Sequence, residues 1–281
     1  MNIQKSNQSS CAGDDLPSGT FVLHSRFNNV VNFINGQNQL AYVTTKEDIL
    51  ASNAIFVPGV KLRTISSMTI SSQTITLDNV RLDREKMSIY DSGIHFKDVD
   101  FAVFESRLLE IPSLYPELFP EKSLFFLFHK ENEKFFTSGF DQQFMLNAKK
   151  SCEFILSDEI VKGIKAIRGT GYGLTPSGDD FTAGFLLGLH FNECKYKIDL
   201  SELRNEIYHT AIGSNLLTNS FLINAKNRKY FKPLKKILLL LGGEKHSSIK
   251  DELEQLLSIG ATSGADFFSG YLFPIKHKVG L

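Results

Sequence analysis

The chain has 281 residues, of which 42% are hydrophobic and 22% charged, a composition typical of a soluble globular protein with a sizeable core. Its 31 Lys and Arg residues balance its 31 Asp and Glu residues, so the sequence predicts no nucleic-acid partner and no attraction to an anionic membrane. The three cysteines are odd in number and far apart, which argues against a disulfide framework and a cysteine zinc site and fits a reducing cytoplasm. The longest apolar stretches are too short to span a bilayer.

The first half of the chain has the pattern of a β-rich domain. Residues 1–18 are polar and lack the apolar segment of a secretory signal, so we expect a disordered tail there. Residues 19–102 contain short strand-like runs such as TFVLHS, VVNFI and QLAYVTT, divided by turn signals. MTISSQTITL predicts a hairpin with its tip at 71–73. A small barrel or sandwich is the expected architecture.

In the second half of the chain, the spacing of the apolar residues changes. From residue 103 to residue 281, apolar residues recur at three- and four-residue spacing, as in FDQQFMLNAKKSCEFIL and IKDELEQLL. This spacing predicts a helical domain over 103–281, and with the strands before it the fold class is α+β.

Two related segments dominate the helical half. GTGYGLTPSGDDFTAGFLLG occupies 169–188, and GATSGADFFSGYL occupies 260–272. They align with a single gap at Pro176, and each is a glycine-bearing loop followed by an apolar run. This is the pattern of a loop-to-helix junction whose backbone comes close to another group. We expect the two junctions to meet in space and to line one cleft.

The spacing of Ser and Asp in both segments predicts capped helices. If Ser177 is an N-cap, Asp180 occupies the third helical position, and Ser263 with Asp266 repeats the arrangement. Both pairs would then be capping boxes with Asp in place of Glu. A glycine four residues after each Asp would let another backbone pack closely against the helix.

The first segment also has the features of an anion site. Free amides at a helix N-terminus bind anions, and the hydroxyls of Thr175 and Ser177 would add donors. Asp179 and Asp180, however, lie where the charge of a phosphate would be, which is costly in a partly buried site. Three resolutions are open: Arg168 neutralises the anion, Mg²⁺ bridges carboxylate and phosphate, or one Asp faces an amide NH₂ of the ligand. The spacing matches neither a P-loop nor a dinucleotide fingerprint.

On these two segments the sequence resembles the bacterial AllH-type family, long catalogued as a domain of unknown function and sometimes labelled a carboxylase. The first matches G-x-G-x-G-L-T-P-S-G-D-D-F-x-x-G and the second matches G-x-[ST]-S-G-A-D. The resemblance implies one subunit of an oxamate carbamoyltransferase, a three-protein assembly of allantoin (purine) catabolism that converts oxalurate and phosphate to oxamate and carbamoyl phosphate. The positions it marks are Gly173, Thr175, Pro176, Ser177, Gly178, Asp179, Asp180, Ser263, Gly264 and Asp266.

Together these considerations give one hypothesis for the site. Backbone amides near Ser177 and Gly178 would hold the oxyanion, Asp180 or Asp266 would orient the amine, and Arg168 would neutralise phosphate. The candidate catalytic residues are Asp179, Asp180 and Asp266. The candidate substrate-binding residues are Arg168, Gly173, Thr175, Ser177, Gly178, Ser263 and Gly264.

Two other functions stay open. The chain would be a non-catalytic subunit that assembles a partner's site, or a Mg²⁺-dependent lyase or carboxylase of a small carboxylic acid with Asp179, Asp180 and Asp266 as ligands. In each case the expected partners are a small molecule, carbamoyl phosphate or an oxamate-like acid, and other protein subunits. No cofactor is assigned, and Mg²⁺ is left open.

Overall fold

The computed structural model describes residues 9–96, 99–244 and 247–281. The chain divides into two compact units, the first of Met1–Gly93 with Lys229–Lys235, and the second of Ile94–Arg228 with Lys236–Leu281. The strands of the described residues lie in the first unit, and most helical residues lie in the second. The predicted α+β class, with a β-rich N-terminal half and a helical C-terminal half, is therefore confirmed. Whether 19–102 and 103–281 fold as independent domains stays a prediction.

In the first unit, the described residues form a nine-stranded sheet. Its strands are β1 Cys11–Gly13, β2 Gly19–Arg26, β3 Val30–Asn35, β4 Leu40–Thr44, β5 Ala54–Phe56, β6 Ser67–Ile70, β7 Thr74–Leu77, β8 Val80–Asp83 and β9 Ser88–Tyr90. Their order across the sheet is β8-β7-β6-β2-β3-β4-β5-β1-β9. The β4–β5 and β1–β9 pairs are parallel and the others antiparallel.

Alternation along the strands decides which side chains enter the core of this unit. In β6 and β7, every second residue is buried, Met68 and Ile70 on one strand and Ile75 and Leu77 on the other. The two strands pair antiparallel around residues 71–73, so the predicted hairpin is confirmed. The predicted disordered tail is wrong for Cys11–Gly13, because these residues pair with β5 and β9 as a buried strand.

Helices make up most of the second unit. In chain order the helices of the described residues are α1 Phe101–Leu114, α2 Gly139–Leu156, α3 Ile160–Ile167, α4 Ser177–Tyr196, α5 Ser201–Ala211, α6 Leu216–Lys226, α7 Lys232–Leu241, α8 Ile249–Leu257 and α9 Ser263–His277. Residues 232–235 of α7 belong to the first unit. Short 3₁₀ segments fill much of the stretch between α1 and α2.

Helices α4 and α9 run side by side at the centre of this unit. All residues of α4 from Ser177 to Glu193 are buried, which explains why its sequence is apolar on every side instead of along one stripe. The two helices are parallel, since their contacts advance together from Gly184 against Phe267 to Asn192, whose amide donates to the carbonyl oxygen of Pro274 (3.0 Å).

Glycines set the distance between the two helices. A Cβ atom on Gly184 would lie 1.9 Å from the carbonyl oxygen of Phe267, and one on Gly270 would lie 1.9 Å from that of Phe181. Phe267 stands three positions before Gly270, and Phe181 stands three positions before Gly184. The two contacts are therefore reciprocal. The prediction that these glycines admit another backbone is confirmed, and the backbone is that of the partner motif.

The helix–loop–helix of α3 and α4 is repeated by α8 and α9. In each, a Cβ atom on the second residue of the second helix, Gly178 or Gly264, would lie 2.0 Å from a carbonyl oxygen of the preceding helix, that of Ile167 or Leu256. Each second helix also ends at a lysine with positive φ. The sequence echo is therefore a structural repeat whose two copies pack against each other.

Candidate functional site

The two motif helices begin one residue earlier than the capping-box prediction requires. Pro176 (φ −58°, ψ 140°) is the N-cap of α4 and Thr262 is that of α9, so Ser177 and Ser263 are the first helical residues. Asp180 accordingly takes the fourth helical position, and its N–H donates to the carbonyl oxygen of Pro176 (3.1 Å). The capping-box prediction is wrong because Pro176 and Thr262 take the cap positions, and neither helix start has a side-chain cap hydrogen bond.

An S-x-x-D capping box does occur, at the start of α2. The Ser138 hydroxyl accepts from the N–H of Asp141 (3.1 Å), and the Asp141 carboxylate accepts from the N–H of Ser138 (3.1 Å). The signal is visible in the sequence as SGFD before a helical apolar run. Asp141 also contacts the glycine-rich loop, so this cap belongs to the surroundings of the site.

Side chains of the two motifs meet at the adjoining N-termini of α4 and α9. The hydroxyl of Thr175 donates to Asp180 (3.0 Å) and lies 3.2 Å from the hydroxyl oxygen of Ser263. Ser177 is fully buried, and its oxygen accepts from the N–H of Tyr172 (3.2 Å). The structure thus brings the two motifs together, as predicted. It joins them through hydroxyl and carboxyl groups.

The Asp180 and Asp266 carboxyls face hydroxyls of the opposite motif. Burial and the charge of Asp266 raise the pKa of Asp180 well above its ordinary value, against the lowering effect of hydrogen bonds from Ser263 and Thr175. Burial likewise raises the pKa of Asp266 to about 6, although hydrogen bonds from the Leu124 N–H and the Ser177 hydroxyl oppose it. Ser263 thus binds Asp180 and Ser177 binds Asp266. These contacts are reciprocal between the two motifs, as are those of Gly184 and Gly270.

Asp266 is the most enclosed of these carboxyl groups. It is 0% exposed, and one oxygen accepts from the N–H of Leu124 at 2.6 Å. Its other oxygen, Oδ2, accepts no hydrogen bond of normal geometry from the described residues. Burial disfavours the charged form of a carboxyl in this situation, which agrees with its raised pKa.

Asp179 holds the glycine-rich loop. Its carboxylate accepts from the N–H of Gly169 (2.7 Å). Burial raises its pKa, while that hydrogen bond and the charge of Arg168 lower it. Arg168 is exposed, and its guanidinium donates to the carbonyl oxygen of Thr210 (3.1 Å). Gly173, at φ 90°, is exposed on the same loop.

The amides expected to hold an oxyanion already have partners. The N–H of Gly178 donates to the carbonyl oxygen of Thr170 (3.0 Å), and that of Gly264 donates to the carbonyl oxygen of Ile259 (3.0 Å). The expectation that the Gly178 amide is free is therefore wrong for this conformation. Because Gly178 and Gly264 have no side chain, a carbonyl group of the preceding helix can pack directly against each of them.

Sequence reasoning missed a polar chain beside the motifs. The Tyr172 hydroxyl donates to Asp141, whose other carboxylate oxygen lies 2.7 Å from the ammonium of Lys122. Burial and the hydrogen bond to Asp141 raise the pKa of Tyr172, with a smaller contribution from the charge of Asp266. The Lys122 side chain is 45% exposed, so it adds a cation that solvent can reach. No local pattern marks Lys122 in the sequence.

The acidic residues of the motifs do not form a recognisable metal centre. Across the described ranges, no group of three or more His, Cys, Asp or Glu side chains is placed to hold a metal ion. Asp179 binds the loop backbone, whereas Asp180 faces the other motif.

Comparison with known proteins adds one finding. Residues 167–275 match a family model described as oxamate carbamoyltransferase subunit AllH. This segment begins at the last residue of α3 and includes both motifs. No curated protein and no solved structure matches the chain.

Proposed function

Since the chain belongs to the AllH-type family, whose model its residues 167–275 match, we propose that it is a subunit of a carbamoyltransferase acting on oxalurate and phosphate. The other subunits would be its protein partners, and the reaction would serve allantoin (purine) catabolism in the cytoplasm. Unpaired Cys11, Cys152 and Cys194 fit a reducing compartment. No helix in the described part of the chain combines the length and hydropathy needed to span a bilayer.

The proposed reaction transfers one group and moves one proton. An oxygen of hydrogen phosphate attacks the ureido carbonyl of oxalurate, and a C–O bond forms. The C–N bond to the oxamate nitrogen then breaks, and its electron pair stays on nitrogen. The proton of hydrogen phosphate ends on that nitrogen, so the products are carbamoyl phosphate and oxamate. A site for this chemistry needs positive potential for the phosphate and a group that relays a proton near neutral pH.

The observation that carries the proposal is the pairing of Asp180 and Asp266 at two adjoining helix N-termini. The pKa values of both carboxyls are raised, that of Asp266 to about 6, which brings the pair closer to the pH range where a proton relay is useful. Each helix N-terminus contributes positive potential, and two parallel helices place both positive ends together. A carboxyl group can also accept from the NH₂ of a carbamoyl or oxamate group.

The remaining residues have supporting roles in the proposal. The hydroxyls of Thr175 and Ser263 donate to Asp180, and their oxygens would accept from the NH₂ of the substrate at the meeting point of the loops. Lys122 and Arg168, each at least partly exposed, would neutralise phosphate. Asp179 would keep the glycine-rich loop in place through Gly169, and so would act as a positioning residue.

Ligand binding by the isolated chain tests this proposal. Calorimetric titration with carbamoyl phosphate, oxamate and phosphate would be compared between the wild type, Asp180→Asn and Asp266→Asn. Asp251→Asn, on an exposed part of α8, is the matched control. We expect both motif variants to lose binding and the control to retain it. Equal affinity in all four proteins would contradict a role for the carboxyl pair.

A non-catalytic assembly role is the second candidate. Asp266 and Ser177 are both 0% exposed, which suits a structural pair. Leu174 and Phe140 are 69% and 58% exposed beside the loop, where a partner subunit would cover apolar surface. Binding of none of the three small molecules by a folded wild type would favour this role. Leu174→Ser would then weaken association with the other subunits.

A further inference from the structure

The C-terminal part of α4 holds a second charged cluster, far along the helix from the paired motifs. Glu193 is 5% exposed, and its carboxylate lies 3.3 Å from Arg204 and 3.3 Å from Arg228. One buried carboxylate therefore faces two guanidinium groups. Arg204 is itself 5% exposed, and it also donates to the carbonyl oxygen of Lys226.

A cavity opens on the solvent side of this cluster. It has a volume of about 320 Å³ and is lined by Ser201, Arg204, Asn205, Lys226, Asn227 and Arg228. Its lining consists of three cations, two carboxamides and one hydroxyl, all of which can donate hydrogen bonds. The volume lies at the lower end of the range for small-ligand sites.

Positive charge exceeds negative charge around the cavity. Glu193 offsets one of the three cations, and Asp199 is the acidic group on the turn before α5. Hydrogen bonds from the N–H and hydroxyl of Ser201 lower the pKa of Asp199, and the charges of Arg228 and Arg204 lower it further by smaller amounts. With Asp199 counted as a second negative charge, the three cations still leave the cavity net positive.

The cations differ in how firmly they are engaged. Arg204 is buried between Glu193 and the end of α6, so its position is fixed before any ligand arrives. The Arg228 side chain is 46% exposed, and the Lys226 ammonium lies 5.1 Å from the centroid of the Tyr208 ring. Both can turn donors towards the cavity. A fixed buried guanidinium with two reachable cations is suited to a compact dianion.

We propose that this cavity is a second anion site, which binds a small dianion, either a phosphate group or a dicarboxylate. It is independent of the proposed carbamoyl transfer, since its residues lie at the opposite end of α4 from Asp180 and Asp266. The guanidinium of Arg228 and the ammonium of Lys226 hold the dianion, and the side-chain amides of Asn205 and Asn227 donate to its remaining oxygens.

Calorimetry on the full chain at constant ionic strength tests the site, with inorganic phosphate and oxalate as separate probes. Arg228→Gln and Lys226→Gln each remove one charge from the cavity. Lys250→Gln removes one from an exposed position on α8 and is the matched control. Asp180→Asn removes the binding proposed for the paired motifs, so the binding that remains in that variant belongs to this cavity.

We expect Arg228→Gln and Lys226→Gln to weaken binding of at least one probe by about tenfold or more, as for the loss of a charged hydrogen bond. Lys250→Gln should bind as the wild type does, and Asp180→Asn should keep a binding event that Arg228→Gln or Lys226→Gln, added to it, weakens. The probe that binds more tightly identifies the dianion class. The site is refuted if the folded wild type binds neither probe, if Lys250→Gln weakens binding equally, or if Asp180→Asn alone abolishes binding of both probes. Lys226→Gln leaves both ion pairs of Glu193 in place, so it decides the matter if Arg228→Gln fails to fold.

Discussion

The hydroxyl oxygens of Thr175 and Ser263 lie 3.2 Å apart, although 88 positions separate them in the chain. This contact joins the loop before α4 to the first residue of α9. Behind it, the two helices are in backbone contact at Gly184 and Gly270. The position of the candidate site therefore depends on how closely these helices pack.

Replacing either crossing glycine by alanine should destabilise the protein strongly. In Gly184→Ala and Gly270→Ala, the new Cβ atom would lie 1.9 Å from a carbonyl oxygen, so the helices must separate. We expect a loss of about 2 kcal/mol or more in the free energy of unfolding, measured by urea denaturation. Gly139→Ala is the control, because a Cβ there meets nothing within 4 Å. A crossing variant as stable as this control would contradict the packing described.

Stability should fall as pH rises through the titration of Asp266. Its pKa is about 6 in the folded protein against an ordinary 3.8, so between these values the folded state binds more protons than the unfolded state. Its contribution is full below pH 3.8 and is lost as pH rises through 6, by up to about 3 kcal/mol. Urea titrations from pH 4 to pH 7 should show this fall for the wild type relative to Asp266→Asn. Equal pH slopes for the two proteins would contradict it, and Asp251→Asn should follow the wild type.

Two serines should respond differently to replacement by alanine. Ser138→Ala removes the cap of α2 and should cost about 1 kcal/mol, with faster hydrogen exchange at the Asp141 amide that it caps. Ser177→Ala removes no cap, so the Asp180 amide should stay protected through its bond to Pro176. The Tyr172 amide should exchange faster instead. Rapid exchange at Asp180 in Ser177→Ala would restore the capping interpretation.

Breaking the buried ion pairs of α4 should be costly. Glu193→Gln leaves the buried Arg204 guanidinium without its counter-charge, which typically costs about 3 to 5 kcal/mol. Glu159→Gln breaks the pair with Lys162, whose side chains are 48% and 55% exposed, and should change stability by less than about 1 kcal/mol. Thermal or urea unfolding of both variants measures the difference. Similar losses in the two would mean that Glu193 is better solvated than its burial indicates.

Several features of this fold could be predicted from local patterns. The change from alternating to helical spacing near residue 103 separates the strand-rich part of the chain from the helical part. The repeated Ser-Gly-x-Asp-Phe segments, each with a glycine four residues after the Asp, indicated two helices that approach each other. These predictions succeeded because the spacing of apolar residues reflects burial and the position of a glycine reflects close packing, and both are visible in a short stretch of sequence.

Other features depend on contacts between distant residues, which one sequence does not reveal. The N–H of Leu124 reaches Asp266 across 142 positions, and Lys122 reaches Asp141 by folding of the irregular stretch before α2. The cap error has a different origin. Ser177 and Pro176 are both acceptable near a helix start, and the extended backbone of Pro176 decided between them. The box at Ser138 obeyed the same local rule and was open to prediction.

The reciprocal packing of α4 against α9 amounts to an isologous interface within one chain. Two identical copies of a small protein would make such a contact across a two-fold axis, with each patch meeting itself. Here one polypeptide supplies both patches, so the two sides are free to diverge. Only the first side has the Pro176 insertion and the Tyr172 link to Asp141. The α4–α9 contact thus has the geometry of a symmetric dimer interface, but its two sides need not have the same function.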